Sequence, residues 1–131
     1  MICAEDLLAE TRDLATSMAT EARCRTVVSR SYFSSFHHIC SHSETEEVVA
    51  KVSDTLSKTI TAGMYNPGQH NLLIQGLKRS GRKELIHLAR TLHELLRRRA
   101  DADYFLGERI GTRAADEALA LAEKVFGALP A

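Results

Sequence analysis

Apolar residues recur at three- and four-residue steps along most of the chain, the period of an amphipathic helix. Leu7, Leu8, Leu14, Ala15 and Met18 predict a helix over 4–18, and Val27, Val28, Tyr32, Phe33, Phe36 and Ile39 one over 22–42. A weaker pattern (Val48, Val49, Val52, Leu56, Ile60) covers 46–60. Gly63-Met64-Tyr65-Asn66-Pro67-Gly68 is the clearest loop, because Gly and Asn-Pro both punctuate helices. A short helix follows over 69–78 and stops near Ser80-Gly81. Leu85, Leu88, Leu92, Leu95 and Leu96 mark a long helix over 82–106, and Gly107 and Gly111 bracket the next turn. The last helix, 112–129, carries the stripe Ala115, Ala118, Leu119, Ala122, Val125, Phe126 and Leu129, and Pro130 cannot extend it. No stretch alternates as a strand would. The pattern predicts one all-α domain over residues 1–131, an antiparallel bundle of four main helices with one or two short extra helices.

Length and composition agree with that reading. The 131 residues suit one domain. No apolar run approaches the ~18–20 residues of a membrane span. The N-terminus, with Glu5 and Asp6 where a signal peptide would be basic and no long apolar run after them, does not read as a signal peptide. Three cysteines, Cys3, Cys24 and Cys40, give no disulfide framework and suit a reducing cytoplasm.

Seventeen basic and seventeen acidic residues cancel, which argues against a general nucleic-acid coat protein. The charge is uneven, however. Between residues 78 and 99 stand Lys78, Arg79, Arg82, Lys83, Arg90, Arg97, Arg98 and Arg99 against Glu84 and Glu94, eight minus two or +6. Lys78, Arg79, Arg97 and Arg98 are therefore candidate RNA-backbone contacts; the alternative is a solvated helix face.

Winding 22–42 at ~100° per residue places Tyr32, Phe36 and Ile39 toward the core and Arg30, Ser34 and His37 on a ridge bordering it. A cation, a hydroxyl and an imidazole on one ridge suit RNA cleavage by transesterification. A histidine titrating near neutrality can move the 2′-hydroxyl proton, and a fixed arginine can hold the phosphorane oxygens. Neither a metal nor a cofactor is needed. A structural role for the same residues is the alternative, since an Arg and a His seven apart are common. The same projection puts Arg99 and Asp103 on the core stripe of Leu88, Leu92 and Leu96, so these charges must pair with each other or with a partner such as Arg30. Tyr104 should pack with its hydroxyl near water or a neighbour.

His37-His38-x-Cys40-x-His42 resembles a metal site at first sight, because His38 and His42 are an i, i+4 pair. His37 points away from them and no distant ligand cluster completes a shell, so no metal is expected. Arg82 and His87 lie about 140° apart on their helix and share no face. No Gly-rich phosphate loop and no Ser/His/Asp pattern is present.

Ser29-Arg30-Ser31-Tyr32-Phe33-Ser34-Ser35-Phe36-His37 resembles the Ser-Arg-Ala-Tyr-Tyr-Ala-Ala-Phe-His stretch on the second helix of many prokaryotic HEPN (higher eukaryotes and prokaryotes nucleotide-binding) domains. Gln69-His70-Asn71 resembles the start of that family's helix after the central loop, and Leu96 to Tyr104 its Leu-Arg…Arg-x-x-Ala-Asp-Tyr segment. The resemblance covers nearly the whole chain. It implies a helical bundle that commonly dimerises and, in catalytic members, metal-independent RNA cleavage by an Arg-x(4–6)-His motif paired across the dimer. Arg30 and His37 fit with six residues between them, and Ser34, His38, His70, Arg99, Asp103 and Tyr104 are supporting candidates. It also implies a toxin–antitoxin or phage-defence setting, with a nucleotidyltransferase-like protein as antitoxin or partner. The alternative is a non-catalytic module that dimerises or binds such a partner.

Overall fold

The computed structural model describes residues 3–16, 20–63, 68–107 and 109–130. All the regular structure among them is helical: α1 (Ala4–Thr16), α2 (Glu21–Ser41), α3 (Glu46–Ala62), α4 (Gln69–Lys78), α5 (Lys83–Tyr104) and α6 (Thr112–Ala128), with a 3₁₀ turn at Ser43–Thr45. The weak pattern over 46–60 is thus a full helix of 17 residues, as long as α6. Met18 and the tip of the central loop, Met64 to Pro67, lie outside the described residues.

Local chemistry sets the ends of α2. The Thr20 hydroxyl accepts the Arg23 amide at 3.2 Å, a side-chain N-cap, and Glu21 favours the positive end of the helix. At the other end His42 turns to extended backbone, and its Nδ1 accepts the Glu44 amide at 3.1 Å to start the 3₁₀ turn. The α5 terminus is closed from outside. Arg25, on the first turns of α2, donates from Nη1 to the Ala102 carbonyl at 2.9 Å and the Asp101 carbonyl at 3.3 Å, and from Nη2 to the Leu106 carbonyl at 3.3 Å. These carbonyls cluster at the C-terminal end of α5, where a cation complements the helix dipole.

α2 is the central element, packed against α1, α5 and α6, while α4 packs on α5 and α3 on α4. Contacts at the helix ends give the directions. Glu5 lies beside His38, so α1 and α2 are antiparallel, and Ser29 bonds Asp103, so α2 and α5 are too. Glu21 accepts the Ile110 amide at one end while His38 meets the Leu129 carbonyl at the other, so α2 and α6 run the same way.

Small side chains allow α2 and α6 to approach closely. Ser31, Ser34 and Ser35 on α2 and Ala115, Ala118 and Ala122 on α6 are all fully buried. The buried hydroxyls are satisfied within α2: Ser31 donates to the Val27 carbonyl at 2.7 Å and Ser35 to the Ser31 carbonyl at 2.8 Å. Around this seam Val27, Val28, Tyr32, Ile39, Leu77, Leu85, Leu92, Leu95, Val125 and Leu129 form the core. Each such aliphatic side chain contributes about 1.5–3 kcal/mol on burial.

Candidate functional site

Arg30 and His37 lie on the face of α2 turned away from the core, and both are exposed. They stand seven positions apart, roughly 10 Å along the axis and about 20° around it. Among the described residues, the ion pair of Arg30 is a loose contact with Glu10 of α1, 4.0 Å, on a half-exposed side chain. Such a pair is worth little in water and leaves the guanidinium able to turn.

Ser34 and His38 do not join them, and both expectations are corrected. Ser34 is fully buried and donates to the Ser31 carbonyl at 3.2 Å, because at its angle α2 has already turned into the α6 seam. His38 is 4% exposed, stacks on Phe126 with ring centroids 4.0 Å apart, and donates from Nε2 to the Leu129 carbonyl at 2.6 Å. It ties α2 to the end of α6. His42 likewise donates from Nε2 to the Pro130 carbonyl at 2.8 Å, so the i, i+4 histidines are engaged with backbone. Among the described residues no group of three or more His, Cys, Asp or Glu is placed to hold a metal ion.

Beside the open face of α2 lies a second cluster. Tyr32 is fully buried, and its hydroxyl is hydrogen-bonded to Nδ1 of His70, on the first turn of α4. The His70 ring also packs on Phe36, centroids 4.5 Å apart, and on Phe33, 6.4 Å. The His37 ring lies edge-on to Phe36, centroids 5.6 Å apart. Burial first, then the charge of Arg99, then His37, hold the His70 pKa below the usual histidine value. Burial likewise pushes the Tyr32 phenol well above its usual range.

Arg99 completes the group. Its guanidinium lies 5.0 Å from the Phe33 ring and 5.1 Å from the Tyr104 ring. Nε approaches Asp103 Oδ2 at 2.8 Å. The N–H is not directed at that oxygen, so the contact is ionic and Nε is left without a hydrogen-bond acceptor. Asp103 also accepts the Ser29 hydroxyl at 3.2 Å. The two charges pair with each other, one of the two pairings the helix projection allowed, and Arg30 takes no part. Tyr104 does not pack inward: with Phe105 and Leu106 it forms a turn of exposed side chains, 66%, 57% and 75% accessible.

The basic segment does not make one patch. Arg97 and Arg98 both pair with Glu94, at 2.6 and 3.0 Å, and Arg98 also with Glu117 at 3.0 Å. Lys78 and Arg79 close α4, next to the start of α5, whereas Arg97 and Arg98 sit near its end. The helix length between them is roughly 20 Å.

Comparison with protein families, with curated proteins and with solved structures finds no match.

Sequence reasoning placed Tyr32 in the core and missed its tie to His70; a tyrosine aimed inward needs a partner for its hydroxyl, and that was the available signal. Arg25 gave no signal, since its acceptors are backbone carbonyls 76 to 81 residues away. The described helices include none long and apolar enough to cross a membrane.

Proposed function

We propose that this protein is a metal-independent endoribonuclease of HEPN type, acting in the cytoplasm as a homodimer that brings two Arg30/His37 pairs together. The observation that supports it is the shared, open face of α2: both side chains reach solvent and neither is locked in a strong ion pair. In this reading α1, α2, α5 and α6 are the four main helices of the family's bundle, and α4 is its helix after the central loop. His37 accepts the 2′-hydroxyl proton as the 2′-oxygen attacks phosphorus. The partner copy's His37, protonated, returns a proton to the departing 5′-oxygen, leaving a 2′,3′-cyclic phosphate and a 5′-hydroxyl. Arg30 hydrogen-bonds the phosphorane oxygens as their charge builds. The setting is a toxin or effector of a toxin–antitoxin or phage-defence system, with a nucleotidyltransferase-like antitoxin as partner. Purified protein incubated with total RNA in EDTA tests this. Cleavage should leave cyclic phosphate ends and vanish in Arg30→Ala and His37→Ala while helicity persists; cleavage surviving both substitutions refutes the site.

A second reading, a non-catalytic module that dimerises or holds a partner protein, is favoured by the exposed Tyr104-Phe105-Leu106 turn, since consecutive large apolar side chains in water are a feature of contact surfaces. Absence of any RNA cleavage, together with self-association lost in Leu106→Glu, would select it.

A further inference from the structure

Two groups beside the open face of α2 are held in fixed positions yet leave their outer polar atoms unused. The Arg99 guanidinium rests against Phe33 and Tyr104, and Asp103 faces its Nε edge. Its terminal Nη groups make no hydrogen bond to the described residues, and they are not among the side-chain atoms sealed from water without a partner, of which Nε is the one found. An arginine immobilised at its inner edge, with its outer nitrogens open to water, is pre-organised for phosphate.

The Tyr32–His70 bond fixes the other group. Tyr32 is fully buried and His70 Nδ1 is the hydrogen-bond partner of its hydroxyl. Were Nδ1 the donor, the phenolic O–H would be buried without an acceptor, which costs roughly 1–3 kcal/mol. The phenol therefore donates to Nδ1, and the remaining proton of the neutral ring sits on Nε2. That nitrogen, too, has no acceptor among the described residues and is not sealed from solvent. Position on the first turn of α4, the positive end of that helix, further disfavours an imidazolium. His70 is thus a neutral N–H donor.

We propose that Arg99 and His70 form a subsite for the phosphate of single-stranded RNA, with an unpaired base stacked on the exposed ring of Tyr104. The phosphate oxygens would meet the Nη groups of Arg99 and Nε2–H of His70, both of which border Phe33. The two-thirds-exposed Tyr104 ring, already against the guanidinium, supplies a sequence-tolerant stacking surface of the kind used for unpaired bases. Phe36 joins His70 to His37, so a strand bound here would pass the ridge of α2. The role of this strand as a substrate rests on the endoribonuclease reading; its binding does not.

The test uses a labelled RNA oligonucleotide with 2′-O-methyl groups throughout, which cannot be cleaved, and fluorescence anisotropy at fixed salt. His70→Ala and Arg99→Lys should each weaken binding about tenfold, the loss of roughly 1.4 kcal/mol, and Tyr104→Ala should weaken it several-fold. His70→Gln, which offers an amide N–H in place of Nε2–H, should bind within about threefold of the parent. Helicity and melting temperature identify any variant that fails to fold; His70→Gln and Tyr104→Ala change least in packing and keep the test decisive. Unchanged binding in both His70→Ala and Arg99→Lys overturns the subsite, as does a fully paired RNA of the same sequence binding as tightly as the single strand. Long-range proton–nitrogen spectra should show His70 with its proton on Nε2; a proton on Nδ1 overturns the donor assignment. If binding behaves as expected while Arg30→Ala and His37→Ala still cleave RNA, the subsite stands and the catalytic reading falls.

Discussion

Neighbouring histidines on α2 should differ sharply in what they contribute to stability. His37 is exposed, whereas the His38 ring is buried against Phe126 and donates to the Leu129 carbonyl. Replacing His38 with alanine removes a stacked pair worth about 0.5–1.5 kcal/mol. It also strands a carbonyl at the end of α6, for a further cost of about 1–3 kcal/mol. The sum, about 1.5–4.5 kcal/mol, corresponds to a fall in Tm of roughly 5–15 °C for a domain of this size. His37→Ala should stay within about 0.5 kcal/mol of the parent. His38→Gln keeps an N–H donor at a comparable reach, so it should lose mainly the stacking part, about 1 kcal/mol. Urea titrations followed by circular dichroism measure all three. Equal midpoints for His37→Ala and His38→Ala would show that His38 does not tie α2 to α6 and would undo the assignment of roles.

Ala118→Leu forces a side chain into the fully buried α2–α6 seam and should destabilise by at least about 1–3 kcal/mol, read in the same titration. His70 should make stability rise with pH: its folded-state pKa lies below the unfolded one, so its contribution is complete above the ordinary histidine value near 6.5 and is lost as pH falls through the folded value. His70→Gln should remove that slope between about pH 5 and 7; an unchanged slope rejects it. Burial raises the Cys40 thiol to about 11 and Cys24 is sealed in the core, so a thiol reagent at pH 8 should label Cys3 alone in the native protein and all three after denaturation.

Helix positions were legible because each helix hides one face, and the 3.6-residue period records that directly. α4 runs over the same residues that its pattern predicts, and α2 begins and ends one residue earlier than expected. The pattern over α3 was weak since Val52 alone among its described side chains is buried, the others facing water or a shallow contact with α4. The candidate site was only half legible. Arg30, His37, Arg99 and Asp103 follow from angular position on single helices. Ser34 and His38 were misplaced because the arc that buries them is set by α6, some 90 residues away, whose alanines admit a close approach that polarity does not announce. The Arg97 and Arg98 ion pairs with Glu94 lie three and four residues apart and could have been anticipated; the pairing to Glu117 depends on how α5 meets α6.

His38 lies beside Glu5 near the start of α1 and hydrogen-bonds Leu129 at the end of α6, so both extremities of the described chain emerge at one pole of the molecule. The turn at Tyr104–Leu106, held by Arg25, occupies the opposite pole. An affinity handle or surface tether fused at either extremity would therefore present that turn outward and unobstructed. A short peptide could also bridge the two extremities, with the backbone reopened elsewhere, to give a circularly permuted form whose bundle keeps every helix intact.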